Sequence, residues 1–231
     1  MEEKRTESIP EFLKNEFNAN GSIDGHEFVD LGLPSGLKWA TCNIGASSPQ
    51  DYGDYFSWGE TDSKDSFVMS SYAFASTDDE DPDDENSYFA IDKYNETDGK
   101  TVLDVKDDVA AARWRGPWRM PSIEDFKELI DNCEWIRGIY NGTVGFKVKG
   151  PSGFSIFLPA AGIMEEEEVW GTGEEGWYWS SNLDEDGYEY NDYWDSYCAQ
   201  CLYFDLNFVE SEPLLNQRFR ELGLPVRPVC K

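Results

Sequence analysis

The apolar residues of this chain fall into short runs that glycine and proline separate. Such runs predict short strands, because Gly and Pro end regular structure and favour turns. Two of them, Phe28–Leu33 and Leu37–Thr41, flank the turn signal Pro34–Gly36. The later predicted strands are Gly145–Gly150, Phe154–Leu158, Trp177–Ser180, Cys201–Leu206 and Val226–Val229.

Two segments have helical spacing instead. Ser122 can cap a helix whose third residue is Asp125. The apolar residues of this predicted helix are Ile123, Phe126, Leu129, Ile130 and Cys133. An earlier helix is predicted from Leu103, Val105, Val109 and Ala112, ending at Gly116–Pro117. The sequence therefore predicts an α+β fold, with two helices packed on a small antiparallel sheet and long irregular loops.

The composition changes near residue 25. Residues 1–24 are expected to form an N-terminal arm or a linker, with a short helix at Glu11–Phe17 that Asn18–Gly21 ends. Residues 25–231 are expected to form one domain, because no repeat or further boundary follows. The first eight residues lack the apolar core of a secretory signal, so retention in the cell, another export route and a leader missing from this sequence all stay open.

The charge is strongly negative: 47 acidic residues oppose 19 basic ones, for a formal net charge of -28. A field of this sign repels phosphate backbones and anionic membranes, so we expect no nucleic-acid partner. No apolar run reaches the roughly 18 residues that span a bilayer, so we expect no membrane insertion. Residues 75–87 carry seven of the acids and predict a solvated loop, with a weak cation site as the alternative.

Chemistry-bearing motifs are sparse. The five cysteines do not form an evident disulfide framework, and Cys198-x-x-Cys201 lacks the further ligands of a structural zinc site, so buried thiols are the favoured interpretation. His26 is the only histidine, which makes a nucleophile–base pair improbable. We expect no enzyme activity and no cofactor, although paired carboxylates for glycoside hydrolysis stay open.

The most unusual stretch is 150–217, which holds fifteen acids and no Lys or Arg. Within it, Asn182–Tyr197 is nearly free of aliphatic residues and rich in Tyr, Trp, Asn and Asp. This mixture is typical of recognition loops, and it also suits sugars. The predicted ligand-binding residues are Asn182, Tyr188, Tyr190, Asn191, Tyr193, Trp194, Tyr197, Asn207 and Asn216.

Other features predict scaffold. Arg119 and Arg227 are scarce cations beside proline, and we expect both to pair with carboxylates. Six tryptophans are expected in the core: Trp39, Trp58, Trp114, Trp118, Trp135 and Trp179.

Several of these segments together resemble one family. Gly25–Ala46, Asp51–Glu60, Trp118–Ser122, Phe157–Gly162, Tyr178–Ser181 and Val226–Val229 occur in the order typical of the Fibrobacter major paralogous domain of gut Bacteroidetes. The resemblance covers about residues 25–230 and implies a C-type-lectin-like fold. Some members are similar to the variable proteins of diversity-generating retroelements, including phage receptor-binding proteins, in which a C-terminal segment is diversified on a fixed scaffold.

By that resemblance, Asn182–Tyr197 and Asn207–Asn216 carry the ligand-binding side chains, whereas Tyr178–Ser181, Leu202–Phe204 and Gly223–Val229 are scaffold. The expected ligand is a protein or a glycan, and the expected location is the cell surface, the extracellular space or a virion. The lectin calcium motifs are incomplete here, so calcium is not expected at a lectin-type site but stays possible elsewhere. A pilus or virion assembly subunit is the alternative, and an enzyme related to formylglycine-generating proteins is a weaker one.

Overall fold

The computed structural model describes residues 9–81, 88–184, 198–208 and 212–231. Within these ranges the chain forms fourteen strands and two α-helices. The strands are distributed over five small sheets, in which every pair of adjacent strands is antiparallel. The predicted α+β class is therefore confirmed, but several sheets replace the single small sheet that the sequence indicates.

The first sheet brings the two ends of the chain together. Its strands are β1 (Gly21–Ile23), β2 (His26–Asp30), β3 (Lys38–Ala40) and β14 (Val229–Cys230), in that spatial order. The fully buried Trp39 of β3 lies between Val29 and Val229 in the register. Strand β1 precedes the predicted boundary at residue 25 and pairs with β2 after it.

Two three-stranded sheets and two hairpins complete the strand content. One sheet contains β6 (Glu134–Tyr140), β7 (Thr143–Lys149) and β8 (Ser155–Pro159). The other contains β11 (Glu175–Leu183), β12 (Cys198–Asp205) and β13 (Leu214–Phe219). The hairpins pair β4 (Ala75–Ser76) with β5 (Ala90–Ile91), and β9 (Ile163–Glu165) with β10 (Glu168–Trp170). Strand β4 opens the acidic segment 75–87, of which residues 82–87 lie outside the described ranges.

Helix α2 (Ile123–Asn132) forms where the sequence predicts it. The Ser122 Oγ accepts a hydrogen bond from the Asp125 N–H at 3.2 Å, and the Asp125 carboxylate accepts one from the Ser122 N–H at 2.7 Å. This reciprocal pair is a capping box, which satisfies two donors at the helix start. Its apolar face buries Phe126 and Leu129 against strands β11 to β13.

Helix α1 (Val109–Trp114) begins later than the sequence predicts. The Asp108 carboxylate accepts hydrogen bonds from the Ala111 and Met120 N–H groups, each with a contact at 3.0 Å. Asp108 is therefore the N-cap, with extended backbone, and it separates α1 from a 3₁₀ turn at Val105–Asp107. The prediction of one continuous helix from Leu103 was wrong for this reason.

The sheet of β11, β12 and β13 separates the two largest of four apolar clusters. Alternate residues of its strands point to opposite faces. Tyr178, Leu202 and Phe204 join a cluster with helix α2 on one face, whereas Trp177, Trp179 and Cys201 join a second cluster around Trp58 on the other. Because both faces of the sheet are covered, β11 and β12 form a rigid base for the segment that connects them.

The predicted core tryptophans and arginines are mostly where the sequence puts them. Trp39, Trp58, Trp118 and Trp179 are fully buried, and Trp114 and Trp135 are partly buried. Arg119 pairs with Asp125 at 2.6 Å, as predicted. Arg227 does not behave as predicted: it is fully buried and donates to the Asn43 side-chain oxygen and to the carbonyls of Ala40, Thr41 and Phe157.

The segment preceding β1 is mostly extended. Of the helix predicted at Glu11–Phe17, only a 3₁₀ turn at Lys14–Phe17 forms. Residues 10–12 are extended because their backbone hydrogen-bonds to strand β6, through Pro10 O and the Phe12 N–H. Tertiary pairing therefore overrides the local helical spacing.

Candidate ligand-binding surface

The predicted recognition tract joins two adjacent strands. Six predicted binding residues lie in 185–197, outside the described residues: Tyr188, Tyr190, Asn191, Tyr193, Trp194 and Tyr197. On either side of it, Leu183 of β11 pairs with Ala199 of β12 and the Asp184 N–H lies 3.4 Å from the Cys198 carbonyl. The tract therefore leaves and re-enters the domain at one end of one sheet.

Hydrogen bonds from distant parts of the chain hold the base of this tract. The Leu183 N–H donates to Thr101 O at 2.8 Å, and the Leu103 N–H donates to Ser181 O at 3.0 Å. The Ser181 N–H donates to Pro121 O, just before helix α2, at 2.8 Å. The end of β11 is thus clamped between the 101–103 segment and the start of α2.

Asn182, a predicted ligand-binding residue, takes part in this clamp. Its Oδ1 accepts a hydrogen bond from the Ile123 N–H at 3.0 Å, at the first residue of α2. Its backbone N–H donates to the Ser180 Oγ at 3.1 Å. The amide oxygen is therefore occupied by the helix terminus, and no described residue accepts a hydrogen bond from the side-chain NH₂ group.

The other two described binding residues lie on and before β13. Asn207 is exposed; its N–H donates to Asp205 Oδ1 at 2.7 Å and its Nδ2 donates to Glu174 Oε2 at 3.4 Å. Asn216 is half-buried opposite Cys201, and its Oδ1 accepts from the Gln217 N–H at 2.8 Å. Asn182, Asn207 and Asn216 thus share one three-stranded sheet and its continuation, although no contact joins them.

A stack of three side chains on this sheet was missed by sequence reasoning. The Arg218 guanidinium lies 3.6 Å from the centre of the Trp177 ring, and the Tyr203 ring centre lies 3.9 Å from the same ring. The Trp177 Nε1 donates to Glu175 Oε2 at 2.9 Å. Such a cation–π contact stabilises a positive charge over an aromatic face. The sequence marks only one member of this stack: Arg218 is the first cation after the 68 residues of the acidic stretch.

Burial in the stack favours the protonated form of Tyr203. Burial, together with the carboxylates of Glu175 and Asp205, raises the pKa of Tyr203 to about 12. At neutral pH its hydroxyl is therefore a hydrogen-bond donor. Arg218 provides the one cationic group of the stack, beside otherwise acidic neighbours.

Exposed apolar side chains also occur along β13 and before it. Phe208 is 67% exposed, Leu214 45%, Leu215 38% and Phe219 36%. These residues flank or belong to β13, which pairs only with β12 among the described strands. Exposed apolar groups on one strand and its approach are a typical mark of an interaction surface.

The two cysteines of the Cys198-x-x-Cys201 motif lie on opposite faces of one strand. Cys198 and Cys201 are both buried in β12, and residues three apart in a strand point to opposite faces. Burial raises the pKa of the Cys201 thiol. Across the described ranges, no group of three or more His, Cys, Asp and Glu side chains is placed to hold a metal ion.

No described helix has the length and apolar character needed to cross a membrane.

A separate cleft of about 370 Å³ lies between the 59–64 loop and residues 106–107. Its cation Lys64 is bound to Glu60 at 3.0 Å and to the Ser71 carbonyl at 3.0 Å. At its other end Asp107 pairs with Lys93. Lys64, Glu60 and Asp107 are therefore held in ion pairs, and the cleft is also lined by Asp62 and Lys106.

Comparisons with known proteins do not add to this description. No protein-family model, no curated protein and no solved structure matches the chain. The function is therefore inferred from the residues and from their geometry.

Proposed function

We propose that this chain is a ligand-binding domain, of the adhesin or receptor-binding type, that presents 185–197 and the β13 surface to a protein or glycan. One observation carries the proposal. A thirteen-residue tract with four Tyr, one Trp and five acids is inserted between hydrogen-bonded ends of two strands, most of whose own side chains are buried. The domain supplies a rigid base, and the tract supplies the recognition chemistry.

The residue types of the tract support recognition rather than packing. Tyr and Trp give large contact areas at a low cost in side-chain entropy, and Asn and Asp add hydrogen bonds. A domain that needed these rings for its core would place them among aliphatic residues, yet the tract has none. The exposed apolar groups on β13 and before it extend the area available to a partner.

The family resemblance supports the same proposal at a finer level. A C-type-lectin-like fold would place a variable C-terminal segment on a conserved scaffold, as in the variable proteins of diversity-generating retroelements. Under this proposal the domain acts at a cell surface, outside the cell or on a virion, without catalysis. The clamped end of β11 and the buried strands β11 and β12 are what such a scaffold requires.

The test is a binding screen of the purified chain against glycan arrays and arrays of bacterial and host surface proteins, with and without calcium. We expect a ligand that the wild-type chain binds and that Tyr190→Ala/Tyr193→Ala/Trp194→Ala loses by at least about tenfold, because aromatic residues dominate binding hot spots. Retention of full binding by this variant would contradict the assigned surface.

A matched control removes three exposed rings elsewhere. Tyr88, Phe154 and Trp170 are 58%, 45% and 57% exposed and lie outside the tract. The triple alanine variant at these positions should bind the same ligand as wild type does. Equal losses in the two variants would indicate non-specific adhesion through exposed aromatic groups.

A further inference from the structure

Residues 10–18, which are here called the arm, lie on the open edge of strand β6. In the sheet order β6-β7-β8, strand β6 is at the edge. The Phe12 N–H donates to Ile139 O at 2.7 Å, and the Ile139 N–H donates to Pro10 O at 2.9 Å. An edge strand exposes unpaired donors and acceptors of this kind, and an added extended segment satisfies them.

Two aromatic anchors hold the arm in place. Phe12 and Phe17 are buried, with 9% and 5% of their surfaces exposed. The Phe17 ring centre lies 4.6 Å from that of Tyr140 and 5.4 Å from that of Phe157. Both domain residues belong to the β6–β8 sheet, so the pocket is made by the sheet and the anchors by the arm.

Gly138 of β6 is shaped for this arm. A Cβ added at Gly138 would lie 2.3 Å from Phe12 Cζ, 2.4 Å from Phe12 Cε2 and 2.8 Å from Pro10 O, and these three nearest atoms all belong to the arm. Gly138 is not among the glycines with positive φ. Its backbone therefore does not require glycine, and the close approach of the arm does.

The arm is a self-contained unit with a short connection to the domain. Within it, the Leu13 N–H donates to Glu16 Oε1 at 2.8 Å and Asn18 Nδ2 donates to Asn15 O at 3.1 Å. On the domain side, Asn20 accepts from the Asp30 N–H at 2.7 Å. Ala19 alone separates the two sets of contacts. A terminal element joined by so short a connection can be exchanged between identical chains.

We propose that the pocket along β6 is an exchangeable docking site, and that residues 10–18 of a second copy of this chain can occupy it. The second copy offers the same two rings, the same backbone groups and Glu16, whose carboxylate pairs with Lys147 beside the pocket. Exchange thus reproduces every contact of the arm in a second molecule. In an isolated chain the pocket is occupied by the arm of the same chain, because the effective concentration of that arm is high.

Two complementary full-length variants test the exchange. Phe12→Ala/Phe17→Ala leaves the pocket open and removes the anchors. Gly138→Val blocks the pocket and leaves the anchors free, and Val is well tolerated in strands. Each variant alone should be a monomer of 26.4 kDa by light scattering. Their equimolar mixture should contain a species with the mass of two chains, and adding Gly138→Val to the anchorless chain should abolish it.

Absence of the two-chain species, with both variants folded by circular dichroism, would overturn the proposal. If a variant does not fold, amide exchange of the wild-type chain decides the question. The Phe12 and Ile139 amides should then exchange at least tenfold faster than the buried Trp58 amide, which donates to Arg220 O. Equal amide exchange rates would show that the arm opens only with global unfolding. That result would also overturn the proposed exchange of the arm between chains.

Discussion

Glu221 follows strand β13, and its carboxylate is only partly compensated. Its Oε2 is buried and has no hydrogen-bond partner among the described residues. Burial raises the pKa of Glu221 to about 7, and the nearby cations Lys64 and Arg220 offset only part of this effect. A neutral carboxyl is preferred at this position, so the charge at neutral pH destabilises the fold.

The substitution Glu221→Gln should therefore stabilise the protein in a pH-dependent way. The folded-state pKa is raised above the ordinary value of 4.5, so stability from Glu221 is complete below pH 4.5 and is lost as the pH rises to about 7. In urea unfolding, Glu221→Gln should match wild type near pH 4 and exceed it by about 2 kcal/mol at pH 8.

The control is Glu212→Gln, which removes an exposed carboxylate just before β13. It should change the free energy of unfolding by less than about 0.5 kcal/mol at either pH. A Glu221→Gln profile parallel to wild type at all pH values would show that this carboxylate is not buried as described.

At the scale of the elements, the start of α2 and the end of β11 depend on each other. Ser122 and Asp125 form the capping box, and Asn182 supplies a further acceptor to the first helical N–H. Unsatisfied donors at a helix start are costly when they are partly buried. The strand end that carries the recognition tract is therefore held in place by the helix.

The substitution Asn182→Ala should lower the free energy of unfolding by about 1 kcal/mol, because it removes an acceptor from the α2 terminus. Asn182→Asp keeps an acceptor oxygen, and a negative charge is favourable at a helix N-terminus, so this variant should retain wild-type stability. Chemical denaturation of both variants, with the exposed Asn207→Ala as control, measures the difference. Equal stability of Asn182→Ala and wild type would leave Asn182 available for ligand contact alone.

For the whole molecule, sequence reasoning succeeded where local signals decide. The capping residues Ser122 and Asp125 and the apolar spacing after them predicted α2 almost to the residue. Sequence reasoning failed where hydrogen bonds to distant segments override the local helical spacing. The Asp108 carboxylate reaches Met120 and delays α1, and the pairing of residues 10–12 with β6 replaces a predicted helix.

Long-range partners also explain what was missed at the candidate site. The composition of 182–197 pointed to a recognition tract, and the structure shows buried, paired strands on both sides of it. Trp177, Tyr203 and Arg218 come together only because β11, β12 and β13 are neighbours. No periodicity within one segment reveals such a stack.

The claim that a rigid scaffold displays a separate recognition tract is tested most directly by thermal unfolding of a chain in which residues 185–197 are replaced by thirteen Gly and Ser residues. Loop-closure entropy changes little at constant length, so the account predicts a midpoint within about 3 °C of wild type. A fall of more than about 10 °C would mean that the aromatic residues of the tract belong to the core. That result would contradict a display scaffold.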